Sequence, residues 1–239
     1  MEPLGATPPT QWPPRWHVSV VEETGSTNAD LLAAALQGAP NRTVLAARHQ
    51  SAGRGRLDRT WEAPPGANLL VSLLFTDVPQ VPHVLTQRVA IAATMAADRV
   101  AGVNAQLKWP NDLLVDDAKL AGVLAQSTMH DGRQAVVVGI GVNCAWAPPG
   151  AARLGEGVDP LTVLHALLVA YDELPDDIAA LYRSRLGTLG RSVRVELADA
   201  VLEGRAIDVE PDGRLLVLDA CGITHRIDTG DVVHLRTQG

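Results

Sequence analysis

Hydrophobic residues recur along the chain with two different periods, and these divide it into two parts. Before Leu189, apolar runs of strand length alternate with segments whose apolar residues fall three or four positions apart, the spacing of one helix face. After Leu189 the segments are short, alternate polar and apolar residues, and are separated by Pro-Asp-Gly, Cys-Gly and Thr-Gly-Asp turns. This second pattern predicts a small all-β unit.

The helical spacing occurs in four places in the first part. The first helix is predicted to begin at Ser26 or Thr27, whose hydroxyls suit a helix N-cap, and to end at Gly38. The other three are predicted from apolar residues at helical spacing over 85–100, 161–168 and 178–186.

Apolar runs of strand length lie between these helices, and the first begins near Val18. Asp116 and Asp117 are placed to form a hairpin turn between two of the later runs. Strands interrupted by helices and then following one another directly indicate an α+β fold with helices packed on a mixed sheet. The later runs cover residues 43–50, 68–75, 105–109, 112–117, 119–127 and 134–144.

Length and composition allow two folded units. The chain has 239 residues, of which 46% are hydrophobic, enough for one sizeable core and a smaller unit. Its proline-rich start lacks the basic and apolar regions of a secretory signal. We therefore expect a flexible lead over 1–17, a main domain over 18–189 and a small β domain over 190–239.

Charge and cysteine content exclude several classes of protein. A net charge of −7 argues against a surface built to attract nucleic acid, and no apolar run is long enough for a membrane span. The two cysteines, Cys144 and Cys221, lie far apart and lack metal-ligand spacing. These features predict a reduced, cytoplasmic protein.

A basic stretch nevertheless lies within this acidic chain. Residues 42–59 contain five arginines, opposed there only by Asp58. Residues 51–61, which overlap the end of this stretch, are too rich in glycine and charge for regular structure and are predicted to be a loop. The loop fits an anion lid, an RNA-binding turn or a solvated surface loop. It does not match the G-x-G-x-x-G nucleotide-binding pattern, because position 58 is Asp and no helix follows.

A second motif, LKWPNDLLVDDAKLAGVLAQ, contains the only two lysines of the chain, Lys108 and Lys119. Paired strands would bring both lysines toward one region. Lysine offsets phosphate charge, and the oxygens of Asn111 and Asp112 suit a hard cation, so the set is typical of a site for ATP and Mg²⁺. The alternative is that Asn111 and Asp112 only form a turn after Pro110.

A third motif, GIGVN over 139–143, has glycines alternating along a predicted strand. Such alternation is expected where a group packs flat against the backbone. Together with GSTN over 25–28, HQSAGRGRLDRTW over 49–61 and KWPND followed by KLAG, the order and spacing resemble those of biotin protein ligases. The likeness is strong over about 20–145 and looser in the C-terminal β unit.

This resemblance implies a fold and an activity. The fold is a class II synthetase-like catalytic domain followed by an SH3-like β-barrel. The activity joins biotin to AMP, giving biotinyl-5′-AMP, and then transfers biotin to a lysine of a biotin carboxyl carrier protein or domain of an acyl-CoA carboxylase. ATP and Mg²⁺ are the implied co-substrate and activator, biotin is the substrate, and no tightly bound prosthetic group is expected.

The resemblance also assigns roles to individual residues. Lys108 is the implied catalytic lysine, near the reacting carboxylate and α-phosphate. The implied biotin-binding residues are Ser26, Thr27, Asn28, Gln50, Gly53, Arg54, Gly55, Arg56, Lys119 and Gly122. The implied ATP or phosphate contacts are Arg59, Trp61, Lys108, Asn111 and Asn143, with Trp61 as a wall on the adenine side. Asn111 and Asp112 are the implied Mg²⁺ ligands.

Some expectations concern what the protein lacks or leaves open. Related ligases carry an N-terminal DNA-binding domain, but about twenty residues precede the catalytic region here, so we expect a ligase that binds neither DNA nor membranes. The oligomeric state stays open. Asp58 stands where the family usually has glycine, which adds negative charge to the loop. Lipoate–protein ligase and a non-catalytic biotin or RNA binder are the alternative functions.

Overall fold

The computed structural model describes residues 11–57, 59–197, 200–228 and 230–235. Most of the predicted N-terminal lead and the unusual Asp58 therefore lie outside the described residues. Within the described ranges, no helix has both the length and the apolar character that a membrane crossing requires.

Within its described residues, the first part of the chain contains seven strands and four helices. Each predicted helix is present. In chain order the elements are β1 (His17–Thr24), α1 (Thr27–Leu36), β2 (Thr43–Gln50), β3 (Leu69–Phe75), α2 (His83–Ala101), β4 (Gln106–Lys108), β5 (Asp112–Val115), β6 (Ala118–His130), β7 (Arg133–Val142), α3 (Pro160–Glu173) and α4 (Ala179–Arg185).

The seven strands form one mixed sheet in the order β1-β2-β3-β7-β6-β5-β4. Strands β1 and β2 are parallel, and every other neighbouring pair is antiparallel. The predicted turn at Asp116 and Asp117 joins β5 to β6, and both residues have positive φ, as a tight hairpin turn of this kind needs. The mixed sheet is thus confirmed.

Helices cover both faces of this sheet, which is why every residue of β3 is buried. On one face, Leu31 and Ala35 of α1 pack with Leu74 and Val137. On the other face, α2 and α3 pack on the main core, which includes Leu73. Alternate residues of the central strands β3 and β7 therefore meet different helices, and their long apolar runs in the sequence follow from this burial on two sides.

The C-terminal part forms a second, antiparallel sheet of five strands in the order β11-β10-β9-β8-β12. Its buried side chains include Val193, Val195, Ala206, Leu215 and Val217, which join the main core. The predicted α+β class with a small C-terminal β unit is confirmed. The predicted limit at 189 falls between α4 and β8 and stays a prediction. These strands are β8 (Ser192–Glu196), β9 (Val201–Val209), β10 (Leu215–Leu218), β11 (Thr224–Ile227) and β12 (Asp231–His234).

Three details differ from the sequence-based expectation. Strand β6 runs to His130 and forms a long hairpin with β7 through Asp131 and Gly132, a turn that was not predicted. Strand β9 begins at Val201, three residues before the alternating segment GRAIDVE over 204–210 that predicts it. Ser26 occupies the N-cap position of α1, as expected, but its side chain makes no capping hydrogen bond among the described residues.

The contrast between two helix N-caps gives a test of stability. The carboxylate of Asp159 accepts a hydrogen bond from the backbone N–H of Thr162 at 2.8 Å, so Asp159→Ala should lower the free energy of unfolding by about 1 kcal/mol. Ser26→Ala removes no capping bond and should cost clearly less. Urea unfolding monitored by circular dichroism compares the two variants, and equal losses would contradict this assignment of the caps.

Candidate active site

A cavity of about 530 Å³ opens where β5, β6 and β7 meet the loop after β2 and the edge of the C-terminal sheet. Every residue that the sequence analysis assigned to a ligand or metal lines this cavity except Gly53. Gly53 instead packs against the backbone of the loop, where a Cβ would lie 2.4 Å from the carbonyl oxygen of Trp61. Lys108 and Lys119 line the same cavity, as the predicted strand pairing required.

A buried hydrogen-bond network joins the start of α1 to the sheet. The side-chain oxygen of Gln50 accepts from the backbone N–H of Thr27 at 2.8 Å. The hydroxyl of Thr27 lies 2.7 Å from that of Ser72, which donates to the amide oxygen of Asn28 at 2.6 Å. The amide nitrogen of Asn28 in turn donates to Gln126 at 2.9 Å. The network therefore fixes the side-chain orientations of Thr27 and Asn28, the α1 residues that face the cavity.

Ser72 and Asp231 also line the cavity, and the sequence analysis missed both. Ser72 is the one polar residue in the apolar strand β3, and a lone buried hydroxyl of that kind must find a partner. That feature was sufficient to single it out. Asp231 follows a Thr-Gly pair in the sequence, and no local pattern connects it to a cavity formed by the other sheet.

Two glycines of β7 allow side chains to lie flat on the strand. A Cβ on Gly139 would lie 2.1 Å from Oδ1 of Asn28, and one on Gly141 would lie 2.4 Å from Cε2 of Trp61. Both distances are far below van der Waals contact, so only glycine fits at these positions. This close approach is what the alternating glycines of the GIGVN motif predicted.

The indole of Trp61 lies over the backbone of β6 and β7, and its role as a wall on the adenine side stays a prediction. Its ring contacts the positions of Gly122 and Gly141, and the ammonium of Lys119 lies 5.5 Å from the ring centroid. Its Nε1 is buried and has no hydrogen-bond acceptor among the described residues. Packing and the nearby cation therefore position the ring.

The arginine-rich loop is more ordered than the sequence indicated. Arg54 and Thr60 form a short antiparallel bridge, and the backbone N–H of Gly55 donates to the carbonyl of Arg59 at 2.6 Å. The guanidinium of Arg56 donates to the amide oxygen of Asn111 and to the carbonyl of Gly230, each at 3.3 Å. The loop thus touches both the main sheet and the C-terminal unit.

Some of the cationic side chains at the cavity form ion pairs with carboxylates of the protein. The carboxylate of Asp112 lies 2.6 Å from the ammonium of Lys119, and Asp231 forms an ion pair with Arg59. The lining residues include five basic side chains and four acidic ones, so the cavity is slightly positive within a chain of net charge −7. The basic residues are Arg54, Arg56, Arg59, Lys108 and Lys119, and the acidic ones are Glu62, Asp112, Glu196 and Asp231.

Two asparagines at the cavity are largely engaged by the protein itself. The amide nitrogen of Asn111 donates to the carbonyl of Val123 at 2.8 Å. Asn143 is buried, donates to the carbonyl of Ala152 at 3.0 Å, and accepts from Asn68 at 3.2 Å. These bonds connect strand ends to the following loops.

Next to Asn143, burial raises the pKa of the Cys144 thiol to about 12, so the thiol is not a nucleophile at neutral pH.

Comparison with known proteins identifies the family. The model of the biotin/lipoate A/B protein ligase family matches residues 20–143, and that of the biotin protein ligase C terminal domain matches residues 188–235. The chain belongs to the biotin/lipoate A/B protein ligase family. Both parts of the chain thus have counterparts in this family.

Individual relatives agree with this membership. A biotin--[acetyl-CoA-carboxylase] ligase of Mycobacterium tuberculosis is 40% identical, over 92% of this chain and 89% of the relative. A protein of the same description from Paracoccus denitrificans is 34% identical, over 72% of this chain and 75% of its own length. The structure of biotin protein ligase from Aquifex aeolicus in complex with biotin and ATP has a TM-score of 0.75 at 24% identity, covers 92% of this chain and 99% of its own, and shows the fold.

The glycine of β7 that faces Asn28 provides a test of the cavity's architecture. In Gly139→Ala the new methyl displaces the Asn28 amide, which leaves buried polar groups of the network without partners, at a cost of about 1–3 kcal/mol in the free energy of unfolding. Gly25→Ala is the matched control, because a Cβ there has nothing within 4 Å. Urea unfolding measures both, and equal stabilities of the two variants would contradict the proposed close contact.

Proposed function

We propose that this chain is a biotin protein ligase, which activates biotin with ATP to biotinyl-5′-AMP and transfers the biotinyl group to a lysine of a carrier protein. The observation that carries the proposal is that one cavity combines the buried Thr27–Gln50–Ser72–Asn28 network with five basic side chains. Sequence identity of 40% to a ligase of that description supports it.

The two groups of residues suit the two chemical halves of biotin. Its ureido ring offers both donors and acceptors, and a polar group taken from water needs hydrogen-bond partners in the site. Ser26, Thr27, Asn28 and Gln50 supply such partners within the cavity wall. Trp61, which packs flat over Gly122 and Gly141, provides apolar surface in the cavity wall, and Lys119 lies beside it.

The first step brings two anions together, since the biotin carboxylate attacks the α-phosphate of ATP and pyrophosphate leaves. Lys108, Lys119 and the loop arginines offset this charge, and a preformed cationic site favours the transition state, where negative charge is concentrated. In the second step the amine of an acceptor lysine attacks the mixed anhydride, and AMP leaves. The arginine loop and Trp61 cover the cavity, which limits hydrolysis of the anhydride.

The oxygens of Asn111 and Asp112 could supply only part of the coordination shell of a magnesium ion. Mg²⁺ usually keeps several waters and binds one or two carboxylates together with substrate phosphates. Asn111 and Asp112 supply one amide oxygen and one carboxylate at the cavity, and no trio of His, Cys, Asp or Glu suited to a metal occurs among the described residues. Asn111 and Asp112 would therefore hold an ion that ATP brings, and that ion would offset phosphate charge.

The acceptor and the compartment are part of the same proposal. The acceptor is proposed to be a biotin carboxyl carrier protein or domain of an acyl-CoA carboxylase, on the strength of the relatives' descriptions. A reducing cytoplasm suits the two unpaired cysteines, Cys144 and Cys221. The proposal includes no role in DNA binding.

Pyrophosphate exchange into ATP tests the activation step directly. Purified protein should catalyse exchange that depends on biotin and not on lipoate, because the step is reversible when the carboxylate is bound. Exchange with lipoate in place of biotin would move the enzyme to the lipoate branch of the family. Absence of exchange with either acid, from folded protein, would contradict a ligase activity.

Lys108→Ala separates chemistry from binding. Loss of the ammonium near the reacting groups should reduce the rate of biotin-dependent exchange by at least about 100-fold, a typical loss for a group that stabilises transition-state charge. The dissociation constant of biotin, measured by calorimetry, should change little. Arg133→Ala removes an exposed cation remote from the cavity and is the control. Equal loss of biotin binding and exchange in Lys108→Ala would show that Lys108 is a binding residue instead.

A further inference from the structure

The strand that carries Lys108 has little support of its own. Strand β4 is three residues long and lies at the edge of the main sheet, paired on one side with β5. On its other side, the carbonyl of Leu107 accepts a hydrogen bond from Gly187 at 2.8 Å. The backbone N–H of Trp109 donates to the hydroxyl of Thr188 at 2.9 Å. The peptide groups on both sides of Lys108 are therefore held by the segment that leads into the C-terminal sheet.

The hydroxyl of Thr188 also reaches into that sheet. It is fully buried and lies 3.1 Å from Nε2 of His234 on β12. A hydroxyl has one proton and two acceptor lone pairs, so the tautomer of His234 decides the direction of this bond. Nδ1 of His234 faces the carboxylate of Asp117, which favours a proton on Nδ1, so Nε2 accepts the proton of Thr188 while the oxygen of Thr188 accepts from Trp109. This arrangement requires that Nε2 carry no proton.

The surroundings of His234 favour this neutral form. Burial lowers the pKa of His234 to about 4, and the positive charges of Arg191 and Lys108 act in the same direction. Asp117, whose carboxylate lies 3.9 Å from Nδ1, opposes the shift only in part. At neutral pH the imidazole therefore stays uncharged, accepts the Thr188 proton and adds no positive charge beside Lys108.

We propose that Thr188 and His234 are positioning residues for Lys108: their hydrogen-bonded pair, which extends from the C-terminal sheet, fixes the Trp109 peptide and with it the direction in which Lys108 enters the cavity. This inference rests on the proposed function, in which Lys108 contacts the reacting groups. The hydrogen bond from the Trp109 backbone to Thr188 is not needed to hold the Trp109 side chain, because its indole is already buried and donates to the carbonyl of Gly213 at 2.8 Å. The role left for this hydrogen bond is to orient the peptide that follows Lys108.

Valine has the shape of threonine without the hydroxyl, so Thr188→Val keeps the packing and removes only the hydrogen bonds. Its effect therefore separates positioning from filling of the core. Thr188→Ser, which keeps the hydroxyl, is the matched variant. For the imidazole, His234→Leu removes the acceptor, whereas the amide oxygen of His234→Gln can still accept the proton.

Biotin-dependent pyrophosphate exchange gives the first measurement. Thr188→Val and His234→Leu should lower kcat by about tenfold while the KM for biotin stays within about twofold, because the loss concerns the placement of Lys108. Thr188→Ser and His234→Gln should recover most of the rate. A wild-type kcat in both Thr188→Val and His234→Leu would overturn the proposal. It would also be overturned if Thr188→Ser and His234→Gln lost as much kcat as Thr188→Val and His234→Leu.

A second measurement does not depend on catalysis. The chain has only two lysines, so reductive methylation with ¹³C-formaldehyde yields two lysine methyl signals in an NMR spectrum, which a Lys119→Arg variant assigns. Thr188→Val should shift or broaden the Lys108 signal and leave the Lys119 signal in place, whereas Thr188→Ser should change neither. An unmoved Lys108 signal in Thr188→Val would overturn the positioning role.

The two measurements distinguish the failure of this proposal from the failure of the proposed function. A wild-type protein without biotin-dependent exchange would remove the ligase function, while the NMR comparison would still decide whether Thr188 positions Lys108. If Thr188→Val does not fold, the pair His234→Leu and His234→Gln decides the question by the same two readouts.

Discussion

The register of β7 against its two neighbours determines which residues face the cavity. In that register Gly139 lies opposite Ser72 of β3, and Gly141 lies opposite Gly122 of β6. Residues two apart on a strand share a face, so the glycines leave a continuous strip of bare backbone. Asn28 and Trp61 approach this strip more closely than any Cβ would allow. A shift by one residue would turn the strip to the opposite face of the sheet and remove the cavity floor, while the backbone pairing would survive.

Electrostatics imposes a second condition on the same cavity. Asp112 is paired with Lys119, and Asp231 is paired with Arg59, so a carboxylate or phosphate that binds either of these cations competes with a carboxylate already present. The free energy of binding is then the difference between two sets of ion pairs, and not the full attraction of the cations. Such an exchange keeps these two partly exposed cations partnered before the substrate arrives, and it also favours release of anionic products.

Regular periods in the sequence were sufficient to predict most elements, whereas the residues of the cavity wall were predicted from the resemblance to biotin protein ligases. Strand β2 covers the predicted residues 43–50, because apolar runs of that length between turns have few alternatives. Gly53 is not among the residues that line the cavity, because the loop turns it toward the backbone of Trp61, and its predicted contact with biotin stays a prediction. The pairing of Arg59 with Asp231 joins residues 172 positions apart and depends on how two sheets pack, for which no local pattern exists.

Strand β12 connects these conditions, because it carries two different supports for the cavity. Asp231 at its start pairs with the arginine loop, and His234 at its end accepts from Thr188 beside the Lys108 strand. Residues of one strand are held at fixed spacing. The arginine loop and Lys108 are therefore positioned by the same rigid strand, although they come from distant parts of the chain. A C-terminal sheet that merely capped the core would need apolar contacts only. The buried hydroxyl and imidazole at this junction instead make the position of Lys108 depend on the sheet, which is why the cavity is complete only with both parts of the chain.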